Sequence, residues 1–248
     1  MRAVLVGHLE AIWASWCDCT RHRLIKTRRE PTKSGIIGIL CLICDRPFTD
    51  DAFVAKAASC EYVFRTDREG AIITDFQATR GVMRAKGKLE ENSFIATHEY
   101  LVLAAHQVAI GGELEFLREL EWAFKFPMHP FGLGKKNCTP TRRIWTPGCL
   151  VTTGETPVEV LARWPWHPPL GSEPRPLRLR ITTDLGVGST DGELRHDYPI
   201  SLNPENRKHA DRRVGTVWVP IPKKNAPNET PAPEVIQTGG HVAAAATI

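Results

Sequence analysis

Long apolar runs are missing from this chain of 248 residues: no stretch approaches the 18 uncharged apolar residues that a membrane-spanning helix needs. Its first residues, Met1-Arg2-Ala3-Val4-Leu5-Val6-Gly7-His8-Leu9, are too short an apolar segment for a secretory signal and lack its small-residue cleavage pattern. Cysteine is present as seven residues, an odd count that fits a reducing cytoplasm better than a disulfide scaffold. Catalytic signatures are scarce too. There is no Gly-x-Ser-x-Gly elbow, no His-Glu-x-x-His and no evident carboxylate pair. Lys33-Ser34 resembles the end of a nucleotide-binding P-loop, but Thr27 and Thr32 stand where that loop requires glycine, which excludes an NTPase of this type. No internal repeat is visible.

Forty-two per cent of the residues are hydrophobic, enough for a substantial core. The net charge is only +4, so polyanion binding depends on where the cations cluster. Ala3 to Leu9 has the length of a strand. Pro31-Thr32 ahead of an apolar run that ends at Pro47 predicts a buried helix from about Thr32 to Cys44. Gly35 and Gly38 inside it suggest close packing against another backbone. Cys60 to Phe64 and Ala71 to Phe76 read as short strands, and Tyr100 to Ile110 as one long strand. Gly111-Gly112 then turns into a helix with Leu114, Leu117, Leu120 and Phe124 on one side, stopped by Pro127. This order predicts an α+β fold: a ferredoxin-like or RNA-recognition-like domain with a protruding thumb, and a smaller, mainly β C-terminal part. The expected boundaries are 1–128 for the core, with the thumb at about 77–98, then 129–222, with strands at Leu177 to Thr183 and Val214 to Val219. A disordered tail is expected over 223–248.

Positive charge gathers in three places. Between Arg21 and Lys33 lie Arg23, Lys26, Arg28 and Arg29, opposed only by Glu30, and the hydroxyls of Thr27, Thr32 and Ser34 accompany them. A helix start directly after them would add free backbone N–H groups for phosphates. Arg80, Arg84, Lys86 and Lys88 fall in a Gly-containing segment with no apolar period, which should project or lie on a partner. Gly134, Lys135, Lys136 and Asn137 are followed by Arg142 and Arg143; glycine beside paired lysines lets a backbone approach a phosphate closely. Each set can equally be a solvated loop. Cys17-x-Cys19 and Cys41-x-x-Cys44 have the count for zinc, but the second pair sits inside an apolar helix without the turn of a zinc knuckle, so no metal and no cofactor is expected. His22, His98 or Tyr100 near Lys33 could instead furnish acid–base groups for RNA cleavage without metal.

Pro31-Thr32-Lys33-Ser34-Gly35-Ile36 resembles the helix start of the CasD-type subunit (the fifth Cas family) of the type I-E CRISPR Cascade surveillance complex. Thr74-Asp75-Phe76-Gln77 is similar to that family's Asp-aromatic-His, His98-Glu99-Tyr100-Leu101 to its basic-Glu-Tyr-Leu, and Leu133-Gly134-Lys135-Lys136-Asn137-Cys138 to its Leu-Gly-basic-basic-Ser-Cys. Asp197-Tyr198-Pro199 with Arg207 and Arg212 resembles its late Asp-x-Pro and arginines. Ile25, Gln77 and Asn137 depart from the family's Arg, His and Ser. The resemblance implies a non-catalytic, cytoplasmic subunit that grips the repeat-derived 5′ handle of a guide RNA. It also implies contacts with the first backbone subunit and the large subunit, with target DNA nearby and no membrane. The RNA contacts it implies are Arg23, Lys26, Thr27, Arg28, Lys33, Ser34, Arg80, Arg84, Lys86, Lys88, Gly134, Lys135, Lys136, Asn137 and Arg142.

Overall fold

The computed structural model describes residues 2–21, 24–81, 83, 87, 94–166, 176–185 and 190–222. The N-terminal half forms β1 (Arg2–Glu10), β2 (Trp13–Ala14), β3 (Cys17–Arg21), β4 (Leu24–Thr27), α1 (Lys33–Ile43), α2 (Asp51–Ser59), β5 (Glu61–Arg68) and β6 (Ala71–Thr79). Then follow β7 (Phe94–Val102), β8 (Ala105–Glu113), α3 (Leu114–Lys125), β9 (Leu150–Val151), α4 (Pro157–Arg163), β10 (Arg178–Asp184), β11 (Glu193–Ser201) and β12 (Lys208–Pro220). Sheet dominates this α+β arrangement.

Seven strands form the main sheet in the order β11-β12-β10-β5-β8-β1-β9. β1 is buried at every position after Arg2 because both of its faces are covered. Val4 and Val6 join Val63, Ala109, Leu179 and Ile181 against Val160 and Leu161 of α4, whereas Ala3, Leu5 and Leu9 face the core shared with α1, α2 and α3. Helices α1 and α2 lie in sequence between β1 and β5, and α3 lies between β8 and β9. Strands β5, β8 and β1 lie inside the sheet, and the short β9 forms its edge on β1. The boundary expected at residue 128 does not divide this sheet, since β10 pairs directly with β5 through Ile181 opposite Arg65. The tail expected over 223–248 lies outside the described residues.

Helix α1 forms where the sequence predicts it. The Thr32 hydroxyl accepts from the Gly35 N–H at 3.2 Å, and Ile36, Ile37, Ile39, Leu40 and Ile43 are all buried, as expected of a helix enclosed on most sides. Gly35 lets the helix lie against the fully buried Trp16, because a Cβ there would stand 3.2 Å from the indole. Gly38 has no such neighbour, its nearest contact being 4.0 Å away at Phe48, so close packing is confined to the first glycine.

The long strand expected from Tyr100 to Ile110 is two strands in two sheets. Leu103, at φ 56, breaks it; β8 continues into the main sheet while β7 belongs to a second sheet of order β2-β7-β4-β3, with β6 also on β7. The partner strand bends at the matching place, since Gly70 at φ 67 separates β5 from β6. Two antiparallel ladders, β5 with β8 and β6 with β7, thus form one ribbon with a corner. Beyond that corner β6 is mostly exposed. The polar, basic stretch after Thr20 carries β4, which pairs with β3 and runs parallel to β7.

Candidate nucleic-acid interface

The start of α1, expected to present N–H groups to phosphate, is already occupied by a carboxylate of the same chain. Asp197 Oδ2 accepts from the Lys33 N–H at 2.9 Å, and Arg212 grips Asp197 with two hydrogen bonds of 2.6 and 2.8 Å while also pairing with Asp184. Burial opposes the Asp197 charge, but Arg212 outweighs it and holds the carboxyl below its ordinary value. Lys33 turns inward. Its Nζ donates to Asp184 at 3.0 Å and to the Cys60 carbonyl at 3.1 Å, between the rings of Tyr62 and Tyr198 at 5.0 and 4.8 Å. Lys33 is therefore a core cation, not the surface phosphate contact expected from the sequence.

Glu30 is also internal, pairing with Arg180 and Arg195, and Arg195 and Arg28 share Glu193. Thr27 is buried and structural: its hydroxyl accepts from the Trp16 N–H at 2.8 Å and donates to the Arg28 carbonyl at 3.1 Å. The first basic segment thus contributes Lys26 and Arg29 as exposed cations, with Ser34 half-buried beside them in sequence. Arg23 lies outside the described residues, as do Arg84, Lys86, Lys88 and His22.

Strand β7 is where the candidate segments meet. On one edge β6 pairs with it from Ala71 opposite Val102 to Thr79 opposite Phe94, which carries the ribbon out to the exposed Arg80. On the other edge β4 places Ile25 opposite His98, and the Thr27 N–H donates to Glu99 at 3.1 Å. The Leu-Gly-Lys-Lys turn closes over one face. Leu133 and Cys138 are buried pegs, and the Leu133 carbonyl accepts from the Ser15 N–H at 2.9 Å. Gly134 sits at φ 90 with its backbone against Ser15, where a Cβ would lie 1.8 Å from the carbonyl oxygen. That fit delivers Lys135 to a fixed spot: its Nζ lies 4.4 Å above the Tyr100 ring and donates to His98 Nδ1 at 3.1 Å. Partial burial and the Lys135 charge lower the His98 pKa, against the opposing pull of Asp75, so the neutral ring accepts from Lys135 and keeps its own proton on Nε2.

Trp13, which the sequence suggests as core filler, instead stands edge-on to Tyr100 at 5.2 Å and is 41% exposed. Phe76, on the opposite face of the ribbon, is 73% exposed. Neither was legible as a contact because an aromatic residue in a strand usually faces the core. Lys136 and Asn137 are exposed at the tip of the turn. Arg142 is exposed as well, with Nε 3.0 Å from Glu10 Oε2. The expected acid–base set separates: His98 and Tyr100 sit with Lys135, whereas Lys33 belongs to the buried corner. Among the described residues no group of three or more His, Cys, Asp or Glu side chains is arranged to hold a metal ion. Burial pushes the thiols of Cys41 and Cys44 up to about 11 and about 12, so they remain protonated. No described helix is long and apolar enough to cross a membrane.

Cations, aromatic rings and a glycine-held lysine turn thus lie around strand β7 of this sheet-dominated α+β chain. A family model described as "CRISPR-associated protein (Cas_Cas5)" matches residues 4–215, and the chain belongs to that family. No curated protein matches it. Among solved structures the chain is similar to one described as "Crystal structure of Cas protein", at 24% identity and a TM-score of 0.68 over 89% of this chain and 98% of that one. It is also similar to a chain of a "CRISPR RNA-guided surveillance complex", at 20% identity and a TM-score of 0.69 over 88% and 91% of the two chains. At these identities the likeness concerns the fold.

Proposed function

We propose that this chain is the non-catalytic guide-RNA-binding subunit of a type I-E CRISPR ribonucleoprotein. In this reading it grips the repeat-derived 5′ handle and caps the filament of backbone subunits. Its working parts are a ferredoxin-like core and the β6–β7 ribbon acting as the thumb; its setting is the cytoplasm, among the backbone and large subunits and close to target DNA. One observation carries the reading: Lys26, Arg80, Lys135, Lys136 and Asn137 belong to three separate stretches of sequence, all of which converge on β7. Single-stranded RNA is held by such a combination, in which cations neutralise phosphates and exposed rings and polar edges meet unstacked bases. About five phosphate contacts give a plot of log affinity against log salt with a slope of roughly −3 to −4. A slope near zero for RNA binding to the purified chain would refute phosphate gripping.

A second reading, a metal-independent endoribonuclease that cuts repeat RNA, draws on the contact between neutral His98 and Lys135. Incubating a synthetic repeat hairpin with the chain in EDTA separates the two: intact RNA favours the grip, and a single specific cut favours the nuclease.

A further inference from the structure

A cavity of 680 Å³ opens between the end of α3 and the segment 139–144, and Arg142 and Arg143 of the third basic set line it. Its walls are flat and apolar: Phe126, Pro130, Phe131 and Pro140 line it. Its charged lining is of one sign. Lys125, Arg142 and Arg143 reach it, Arg142 with its Nε 3.0 Å from Glu10, and no carboxylate is among the described residues that line it. The Lys125 ammonium already lies over rings, 5.4 Å from Phe126 and 5.0 Å from Trp145. Phe126 is 48% exposed, with the Trp122 ring 4.6 Å from it, so part of its ring remains open to a ligand.

The cavity is also tied to the β7 site by chain and by contact. The Thr141 N–H donates to the Glu10 carbonyl at 2.8 Å, and Pro140 bridges to Ala11, two residues before Trp13. Segment 139–144 directly follows the Lys135 turn in sequence. Volumes of this size suit a small ligand, and a space with flat apolar walls and a rim of cations suits a flat, apolar ring carrying an anion. A nucleotide has that shape, with its base against aromatic and proline rings and its phosphate on arginine.

We propose that this cavity binds one unstacked nucleotide of a single-stranded RNA, the base inside and the phosphate on Arg142 and Arg143. The proposal rests on the RNA-gripping reading and adds a base-binding position to it. The test uses the full chain and a series of 12-nucleotide single-stranded RNAs, each with one 4-thiouridine at a successive position, irradiated and mapped by mass spectrometry. The expected result is an adduct within 126–131 or 139–144 from one or two neighbouring positions only. Arg143→Ala should lower its yield about fivefold, the effect of one lost phosphate contact, while Arg163→Ala on α4 leaves it unchanged. RNA that binds but reacts only elsewhere would overturn the pocket and leave the grip standing. Loss of all RNA binding at low salt would overturn both. Adducts from every position, unchanged in Arg143→Ala, would reduce the cavity to a non-specific contact. Protection of it by an added protein subunit and not by RNA would make it a protein-docking surface.

Discussion

At Gly134 one methyl group would meet the Ser15 carbonyl, and the φ of 90 is strained for any residue with a Cβ. Gly134→Ala should therefore cost about 1–3 kcal/mol, read from the urea midpoint, and should weaken RNA binding by displacing Lys135. Lys135→Ala keeps the backbone and removes the charge. It should make the salt slope shallower by about 0.7 and let the His98 pKa rise, since Lys135 helps hold it down; NMR titration of the ring checks the second point. An unchanged His98 titration would contradict the contact.

His106 offers a different test. It is fully enclosed, neither ring nitrogen has a partner among the described residues, and burial holds its pKa down to about 3. An unfolded histidine titrates near 6.5. Between those values the unfolded chain binds a proton that the folded chain refuses, so stability falls as pH is lowered from about 6.5 towards 3. Denaturant midpoints followed over pH 7 to 5 should show this slope, and His106→Leu should remove its share of it.

Helix α1 and strands β10 to β12 stand or fall together, because Asp197 and Arg212 join them at the helix start. Asp197→Ala takes from Arg212 one of its two carboxylate partners, leaving Asp184, and takes from the Lys33 N–H its acceptor, and should cost about 3 kcal/mol. Asp197→Ala combined with Arg212→Ala should cost less than the sum of the two, because each single change already removes the Asp197–Arg212 contact. Additive losses would mean that the pair does not act as a unit. This corner also shows where reading the sequence reached its limit. Thr32 and Pro47 announce α1 locally, and the period of Leu117, Leu120 and Phe124 announces α3. That Lys33 faces inward depends on Asp184 and Asp197, more than 150 residues away, which no local pattern reveals. The break at Leu103 was hidden for a similar reason: the apolar run continues through it, and only the change of pairing partner reveals two strands. Helix α4 did carry a local signal, Thr156 and Glu159 forming a capping box with Pro157 in the first turn, but the surrounding prolines masked it. Lys26, Arg80 and the Lys135 turn were readable as cations, and their meeting on β7 was not.

Over the whole molecule, the modest net charge of +4 conceals a division of labour. Arg180, Arg195 and Arg212 pair with the buried carboxylates of Glu30 and Asp197, whereas Lys26, Lys136, Arg142 and Arg143 are exposed close to β7 or the cavity beside it, Arg142 with one contact to Glu10. A surface built in this way should prefer single-stranded RNA to duplex, because its rings and polar edges act only on exposed bases. The most direct measurement is to recover the tagged chain from its own host under conditions that preserve complexes and to sequence the 5′ ends of the RNA that comes with it. A single repeat-derived 5′ end, with other CRISPR subunits present, is the predicted result. Intact complexes carrying no RNA, or RNA with scattered 5′ ends, would contradict the account.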